Sequence, residues 1–258
     1  MGVRQQVQHL GGRVARRAGL GDFIDAYRAS KLPENHRRDL RDRDHMELLI
    51  GLFLREDSNC IDVGASVGDI LRMILARAPQ GEHYAFEPIP SHAAALRDAF
   101  PNVQVLECAL ANERGQAEFT WVEDASPYSG LRPHEYPNPN WTKTKIEVKV
   151  DRLDDVIPAD YTPSFIKIDV EGGEADVLAG GIETIKRSQP LVIFEHCDWG
   201  DPSAPGPSGT YPLLAEEAGL EVFDIDGHGP LTLKDMQEIY DLGEIGTFVA
   251  MPAGRELR

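Results

Sequence analysis

The chain has 258 residues, 41% of them hydrophobic and 27% charged, which suits one large α/β domain and argues against global disorder. Its formal net charge is −17, from 26 Lys and Arg against 43 Asp and Glu; residues 1–44 hold ten of the basic and six of the acidic residues, leaving 16 against 37 for the remainder. So acidic a body repels phosphate backbones, which argues against a nucleic-acid substrate, and no apolar run reaches the ~18 residues that an integral membrane segment needs.

Residues 1–50 are expected to form an N-terminal helical extension. Its first nineteen residues lack the apolar stretch of a secretory signal, so a cytoplasmic location is expected. Cys60, Cys108 and Cys197 share no paired spacing and sit in or beside apolar runs, as buried thiols in a reducing compartment would. The basic arm offers a surface for a membrane, an anionic partner or, in a homodimer, a second copy. A solvated arm packed on the main domain is the plainer reading.

Residues 51–258 are expected to form the main domain, and from about residue 59 short β-branched runs alternate with helical stretches, the pattern of a mostly parallel sheet with helices on both faces. Asn59–Val63 reads as a buried strand followed by a helix through Arg77. Glu82–Glu87 is the second strand, Ser91–Phe100 a helix capped by Ser91, and Val103–Cys108 the third strand. The alternation then breaks. Gly115–Val122 and Lys145–Val150 read as strands on either side of residues 123–144, a long polar stretch carrying Tyr128, Tyr136 and Trp141. Loops of this length usually cover a site. Ser164–Asp169, a helix over Gly173–Ser188 and Leu191–Glu195 restore the pattern. A loop over Asp201–Gly209, a helix ending near Gly219, and strands Glu221–Ile225 and Gly246–Met251 close the chain.

Three segments carry chemistry. The first strand ends in Asp62-Val63-Gly64-Ala65-Ser66-Val67-Gly68, where Gly64 permits a tight turn and Gly68 a close approach. A dinucleotide fingerprint would need glycines at 66 and 69, where Ser66 and Asp69 stand, so a nicotinamide enzyme is not indicated. The second strand ends in Phe86-Glu87-Pro88, placing a carboxylate 23 residues beyond Gly64, where it can accept from both ribose hydroxyls of a nucleotide. The third segment, Phe165–Glu174, projects Lys167, Asp169 and Glu171 toward one edge of the sheet. Three charges there are costly unless they pair or bind a ligand.

The run IKIDVEGGEADVLAGGIETIKRSQPLVIFE resembles the signature region of the FkbM family of S-adenosylmethionine-dependent methyltransferases. CIDVGASVGD is similar to that family's DVGAN-x-G loop, AFEP to its ribose strand, ECALANERG to its adenine-side segment and GTFVAMP to its last strand. Ser66 stands where the family usually has Asn, and Leu71 where Ser or Thr is common. The resemblance implies a class I methyltransferase (Rossmann-like) three-layer α/β fold, its seven-stranded, mostly parallel sheet ending in an antiparallel strand. It also implies S-adenosylmethionine as cofactor and methylation of a hydroxyl, often on a sugar or natural product. On that reading Asp62, Gly64, Ala65, Ser66, Gly68, Glu87, Pro88, Ala109, Leu110 and Asp169 hold the cofactor.

The acceptor side is less determined. His196, directly after the fifth strand of the regular pattern, is the first choice for a general base, although it could equally orient a carboxylate or pack against Trp199. Asp169 is the second, unless it holds the cofactor's amino group. Glu171 and Glu174 at a helix start suit hydrogen-bond acceptance, and Lys167 suits pairing with one of these acids. Lys167, Glu174, Tyr128 and Trp141 are the candidate substrate contacts, the aromatics either stacking on an acceptor or folding back on their own loop. Asp169, Glu171 and Glu195 could together ligate a hard cation such as Mg²⁺, but cofactor and substrate contacts already account for carboxylates at this edge, so no metal is assigned. A cofactor-binding or interaction protein without turnover is the competing class.

Overall fold

The computed structural model describes residues 34–132, 136–196, 205–243 and 246–254; the expectations for residues 1–33, Cys197, Trp199 and 201–204 lie outside them. The chain divides into two units, residues 1–44 and 45–258. Helix α1 (Glu34–Phe53) runs through the boundary expected at residue 50, and its Met46 and Ile50, with Leu54 beyond, are core residues of the larger unit.

The larger unit continues in the order β1 (Cys60–Val63), α2 (Asp69–Arg77), β2 (His83–Phe86), α3 (Pro90–Ala99), β3 (Val103–Leu106), β4 (Ala109–Leu110), β5 (Gly115–Val122) and β6 (Lys143–Asp151). After a short helix α4 (Leu153–Val156) come β7 (Phe165–Ile168), α5 (Glu174–Gly180), α6 (Ile182–Ser188) and β8 (Leu191–Glu195). Helix α7 (Pro207–Tyr211) passes into a π-type turn (Pro212–Glu217), then β9 (Leu220–Asp224), α8 (Leu233–Leu242) and β10 (Thr247–Pro252).

Seven strands form one sheet in the order β3-β2-β1-β7-β8-β10-β9. The first five pair in parallel, and β10 runs antiparallel to both β8 and β9. This is the expected class I arrangement. The central strands are buried on both faces, which is why CIDV, FIKI and LVIFE read as near-continuous apolar runs. Alternation still sorts them. Ile61, Val63, Ile166, Ile168, Val192 and Phe194 enter one core; Cys60, Phe165, Leu191 and Ile193 enter the other, with Leu71, Ile74 and Leu96 from the helices on that face.

Strands β4, β6 and β5 make a second, three-stranded sheet. There burial alternates along β6, as expected of a sheet with one wet face, and Phe119, Val148 and Val150 pack with Ile89 and Ala109 in a third small core.

Two local expectations are corrected. Helix α3 starts at Pro90 with Ile89 as its N-cap and no side-chain cap, so Ser91 is not the cap; proline's fixed φ suits the first helical turn. The single helix expected over 173–188 is two, α5 and α6, broken at Gly181 where Leu153 packs against the backbone. Among the described residues, no helix is long and apolar enough to cross a membrane.

Candidate functional site

In the strand order, β2 and β3 lie to one side of β1 and β7 to the other, so the carboxyl ends of β1 and β7 flank the topological switch point where open sheets bind ligands. The turn leaving β1 is built for that place. Gly64 and Ala65 both donate to the Phe86 carbonyl, at 2.9 and 3.1 Å, and Asp169 donates to the Val63 carbonyl at 3.0 Å. Gly64 has φ +80°, and a Cβ there would collide with the Asp169 carbonyl, so glycine is required on two counts. Ser66 also takes a left-handed conformation, φ +47°, which turns its N–H onto Glu87 Oε2 at 2.8 Å. Gly68 serves packing: a side chain there would meet Leu96 and Phe100.

Glu87 is buried, and its Oε1 accepts from the Ile89 N–H at 2.8 Å. Burial raises its pKa, opposed by the N–H groups of Ile89 and Ser66. Across the switch point, Lys167 is buried and its Nζ lies 3.1 Å from Asp169 Oδ2. Burial alone would lower its pKa, but Asp169 and Glu195 outweigh that and hold the ammonium charged. Burial likewise pushes Asp169 up, but Lys167 brings it below the usual carboxylate range. Glu171, at φ +59°, is raised well above its ordinary value by burial and then by Asp169 and Glu195. Glu195 is raised well above its own by burial and Asp169. Glu174 is raised to about 7 by burial, although its Oε1 accepts from Val170 and Gly172, each at 3.2 Å.

These elements line a cleft open to solvent, with Gly64, Ser66, Glu87 and Pro88 on one side and Asp169, Val170 and Glu171 on the other. Cys108, Ala109, Leu110 and Phe119 line it from the strand side, and Ser126, Pro127, Ser129 and Leu131 from the 123–144 segment.

Residues 62–219, more than half of the chain, match the model of the methyltransferase FkbM domain. The chain belongs to the FkbM methyltransferase family. It is a methyltransferase, and its cofactor is S-adenosylmethionine. Among curated relatives, methyltransferase sdnD of Sordaria araneosa is 29% identical over 199 residues, covering 63% of this chain and 73% of its own. The 2-O-methyltransferase NoeI of Sinorhizobium fredii is 27% identical over 170 residues, covering 58% and 68%. The 31-O-demethyl-FK506 methyltransferase FkbM of Streptomyces tacrolimicus is 30% identical over 167 residues, covering 53% and 64%. The solved methyltransferase FkbM from Methylobacillus flagellatus KT aligns with 77% of this chain and 44% of its own at 16% identity and TM-score 0.49, too remote a likeness to inform the site.

Against the residues expected of an FkbM site, the structure gathers Gly64, Ser66, Glu87, Pro88, Ala109, Leu110, Asp169 and Glu171 on the cleft wall. It leaves the other expected residues off that wall. Asp62 lies beneath it, buried in β1, and Ala65 is also buried; Lys167 and Glu174 support the wall through Asp169 and through the 170–172 turn. His196 is buried with its ring 5.1 Å from that of Tyr240, and burial lowers its pKa to about 4. Tyr128 and Trp141 face each other with ring centroids 4.9 Å apart.

The sequence reading did not mark Phe119 or Ile89, while Ser126–Leu131 belongs to the 123–144 segment expected to cover a site. The signal for Phe119 lay in β5's alternation, since Ala117, Phe119 and Trp121 share one face and pack in the third small core. The turn at Ser126–Leu131 carried no such pattern. It is tied down by Thr120 and Gly130, which exchange backbone hydrogen bonds, and by Ser129 Oγ accepting from Val122.

Proposed function

We propose that this cleft binds S-adenosylmethionine with the ribose at Glu87, and that the chain methylates a hydroxyl on a sugar, glycan or natural product. The observation that carries the reading is the division of the cleft. One end has a buried carboxylate held rigid by two backbone N–H groups, which leaves lone pairs for a diol. The other end has the carboxylates of Asp169 and Glu171 on the wall, next to the switch point. The relatives named as 2-O- and 31-O-methyltransferases support an oxygen acceptor.

The bound cofactor supplies an electrophilic methyl group. The chain supplies alignment, for which effective molarities correspond to roughly 7–11 kcal/mol, and a group to take the hydroxyl's proton, a role that adds about 10²–10⁴-fold. Glu171 suits the second task best. It lines the cleft, and its carboxyl is more basic than an ordinary glutamate because burial and Asp169 disfavour its charge. Asp169, held ionised by Lys167, is better suited to receiving a cation or donor group than to taking a proton. His196, with its lowered pKa and its place outside the cleft lining, suits packing on Tyr240.

The test is incubation with methyl-labelled cofactor and a panel of sugars, glycolipids and polyketides, with products located by mass spectrometry. Label on a hydroxyl oxygen is the expected result. Tight cofactor binding without transfer to any acceptor would favour a binding protein that kept the fold.

A further inference from the structure

Asp169, Glu171 and Glu195 each bring a carboxylate oxygen to one point at the ends of β7 and β8, the three oxygens lying within 4.8 Å of one another. Three ionised carboxylates so close would repel strongly where water is partly excluded, and without a cation Glu195 is hydrogen-bonded to Asp169. Lys167 offsets all three, yet it already contacts Asp169 and is shared with Asp62. A second observation points to a ligand. Glu171 is only 9% exposed, and its Oε2 is fully buried with no hydrogen-bond partner among the described residues. An ionised carboxylate in that position lacks compensation.

We propose that Asp169, Glu171 and Glu195 hold a hard divalent cation at the wall of the cleft. The donor set is entirely carboxylate oxygen, which suits Mg²⁺, Mn²⁺ or Ca²⁺ and not softer ions. Two ligands of one ion can be no further apart than twice the metal–oxygen distance, about 5 Å for Ca²⁺ and about 4.1 Å for Mg²⁺. The observed spread lies within that pairwise limit for Ca²⁺ and beyond it for Mg²⁺, so the side chains must draw in, by less than ~1 Å, to hold the smaller ion. Three residues leave coordination positions open toward the cleft, where Asp169 and Glu171 are exposed to a ligand. Read without the fold, these residues carry no metal assignment, because cofactor and substrate contacts account for carboxylates at this edge. What the fold adds is the β7–β8 register that brings Glu195 to the other two carboxylates, and the unpaired Oε2 of Glu171.

The consequence for the reaction rests on the proposed hydroxyl acceptor. An acceptor oxygen on the cation is more acidic than a free alcohol. A glutamate bound through one oxygen keeps the other to take the proton as the O–CH₃ bond forms, the S–CH₃ bond breaks and the thioether leaves.

Mn²⁺ is the probe. The full chain, stripped with EDTA and dialysed, is titrated with Mn²⁺ while the free-ion electron paramagnetic resonance signal is followed. The expected result is one site per chain, displaced by Mg²⁺ or Ca²⁺ according to which fits better, and weakened roughly 10–100-fold or more in Glu195→Gln and Glu171→Gln. Each variant's fold is checked by its circular dichroism melt, and an Asp69→Asn variant, an exposed acid at the start of α2, should bind Mn²⁺ as the native chain does. No saturable binding, or binding equal in the native chain and both glutamine variants, overturns the proposal. Saturable binding at these residues with no transfer to any hydroxyl would leave the cation standing and remove the acceptor reading. Hydroxyl methylation undiminished in EDTA, with no Mn²⁺ bound, would do the reverse.

Discussion

Asp62 and Lys167 are direct neighbours across the parallel ladder of β1 and β7, and both are buried. The pair does not neutralise itself in isolation, because Lys167 is also drawn to Asp169 and Glu195. Burial, outweighing Lys167 and aided by Asp169 and Glu87, raises the Asp62 pKa to about 7.

That shift has a definite sign in stability. Below the unfolded value near ~3.9, Asp62 is neutral in both states. As pH rises toward about 7, the unfolded chain ionises first, so the neutral group's contribution is progressively lost. Above that the loss is flat. A shift of about three units corresponds to roughly 4 kcal/mol at most. Asp62→Asn lacks the term. Urea denaturation at pH 5 and pH 8 should therefore show the variant gaining on the native protein by a few kcal/mol as pH rises. A gap that stays constant with pH would mean that Asp62 is ionised throughout.

Glu87→Gln tests the ribose end. The native carboxylate accepts from Ser66 and Ile89, and an amide can replace only one of those acceptors without turning N–H against N–H. Loss of a charged hydrogen bond is worth about 1.5–3 kcal/mol, so the affinity for S-adenosylhomocysteine should fall by roughly 10–150-fold in calorimetric titration. The melting temperature should fall as well, since the same carboxylate fixes two turns. Unchanged affinity in a destabilised variant would reduce Glu87 to a structural brace.

The positions of the strands, the acid at the tip of β2 and the β7 carboxylates were legible in the sequence because each is a local pattern: an apolar run ending in a polar tip, with glycines where the chain turns. What was not legible depends on distance across the fold. Gly64 was read as a turn residue, but the contact that forbids a side chain is the carbonyl of Asp169, a hundred residues away. Phe119 reaches the cleft because β5 belongs to a separate small sheet, a pairing that no local pattern states. His196 was placed correctly at a strand end, but its burial against Tyr240 arises from a helix forty residues further on. Glu195 was read as one of three ligand candidates, and only the register of β8 beside β7 brings it to the other two.

Two glycines should respond in opposite directions to the same substitution. Gly64→Ala would force a left-handed φ on alanine and drive its Cβ into the Asp169 backbone. Backbone cannot yield as a side-chain end can, so a loss of more than ~4 kcal/mol, or failure to fold, is expected. Gly51→Ala, within helix α1 and with nothing within 4 Å, removes a poor helix former and should stabilise by up to about 1 kcal/mol. Thermal melts of both variants check the pair. A tolerated Gly64→Ala would show that the β1 turn is free to move away from β7.

The segment over the cleft is the remaining test. Tyr128 and Trp141 bring its two ends together through their ring contact, and Arg132 ties it to Asp176 of α5 at 2.8 Å. An aromatic pair adds about 0.5–1.5 kcal/mol beyond its buried area. Trp141→Ala should therefore open the segment roughly 2–12-fold more often, seen as faster limited proteolysis within residues 123–144. Cofactor affinity should stay within about twofold, because neither ring lines the cleft. Unchanged proteolysis together with a raised KM for the acceptor would instead return Trp141 to the acceptor's contact surface.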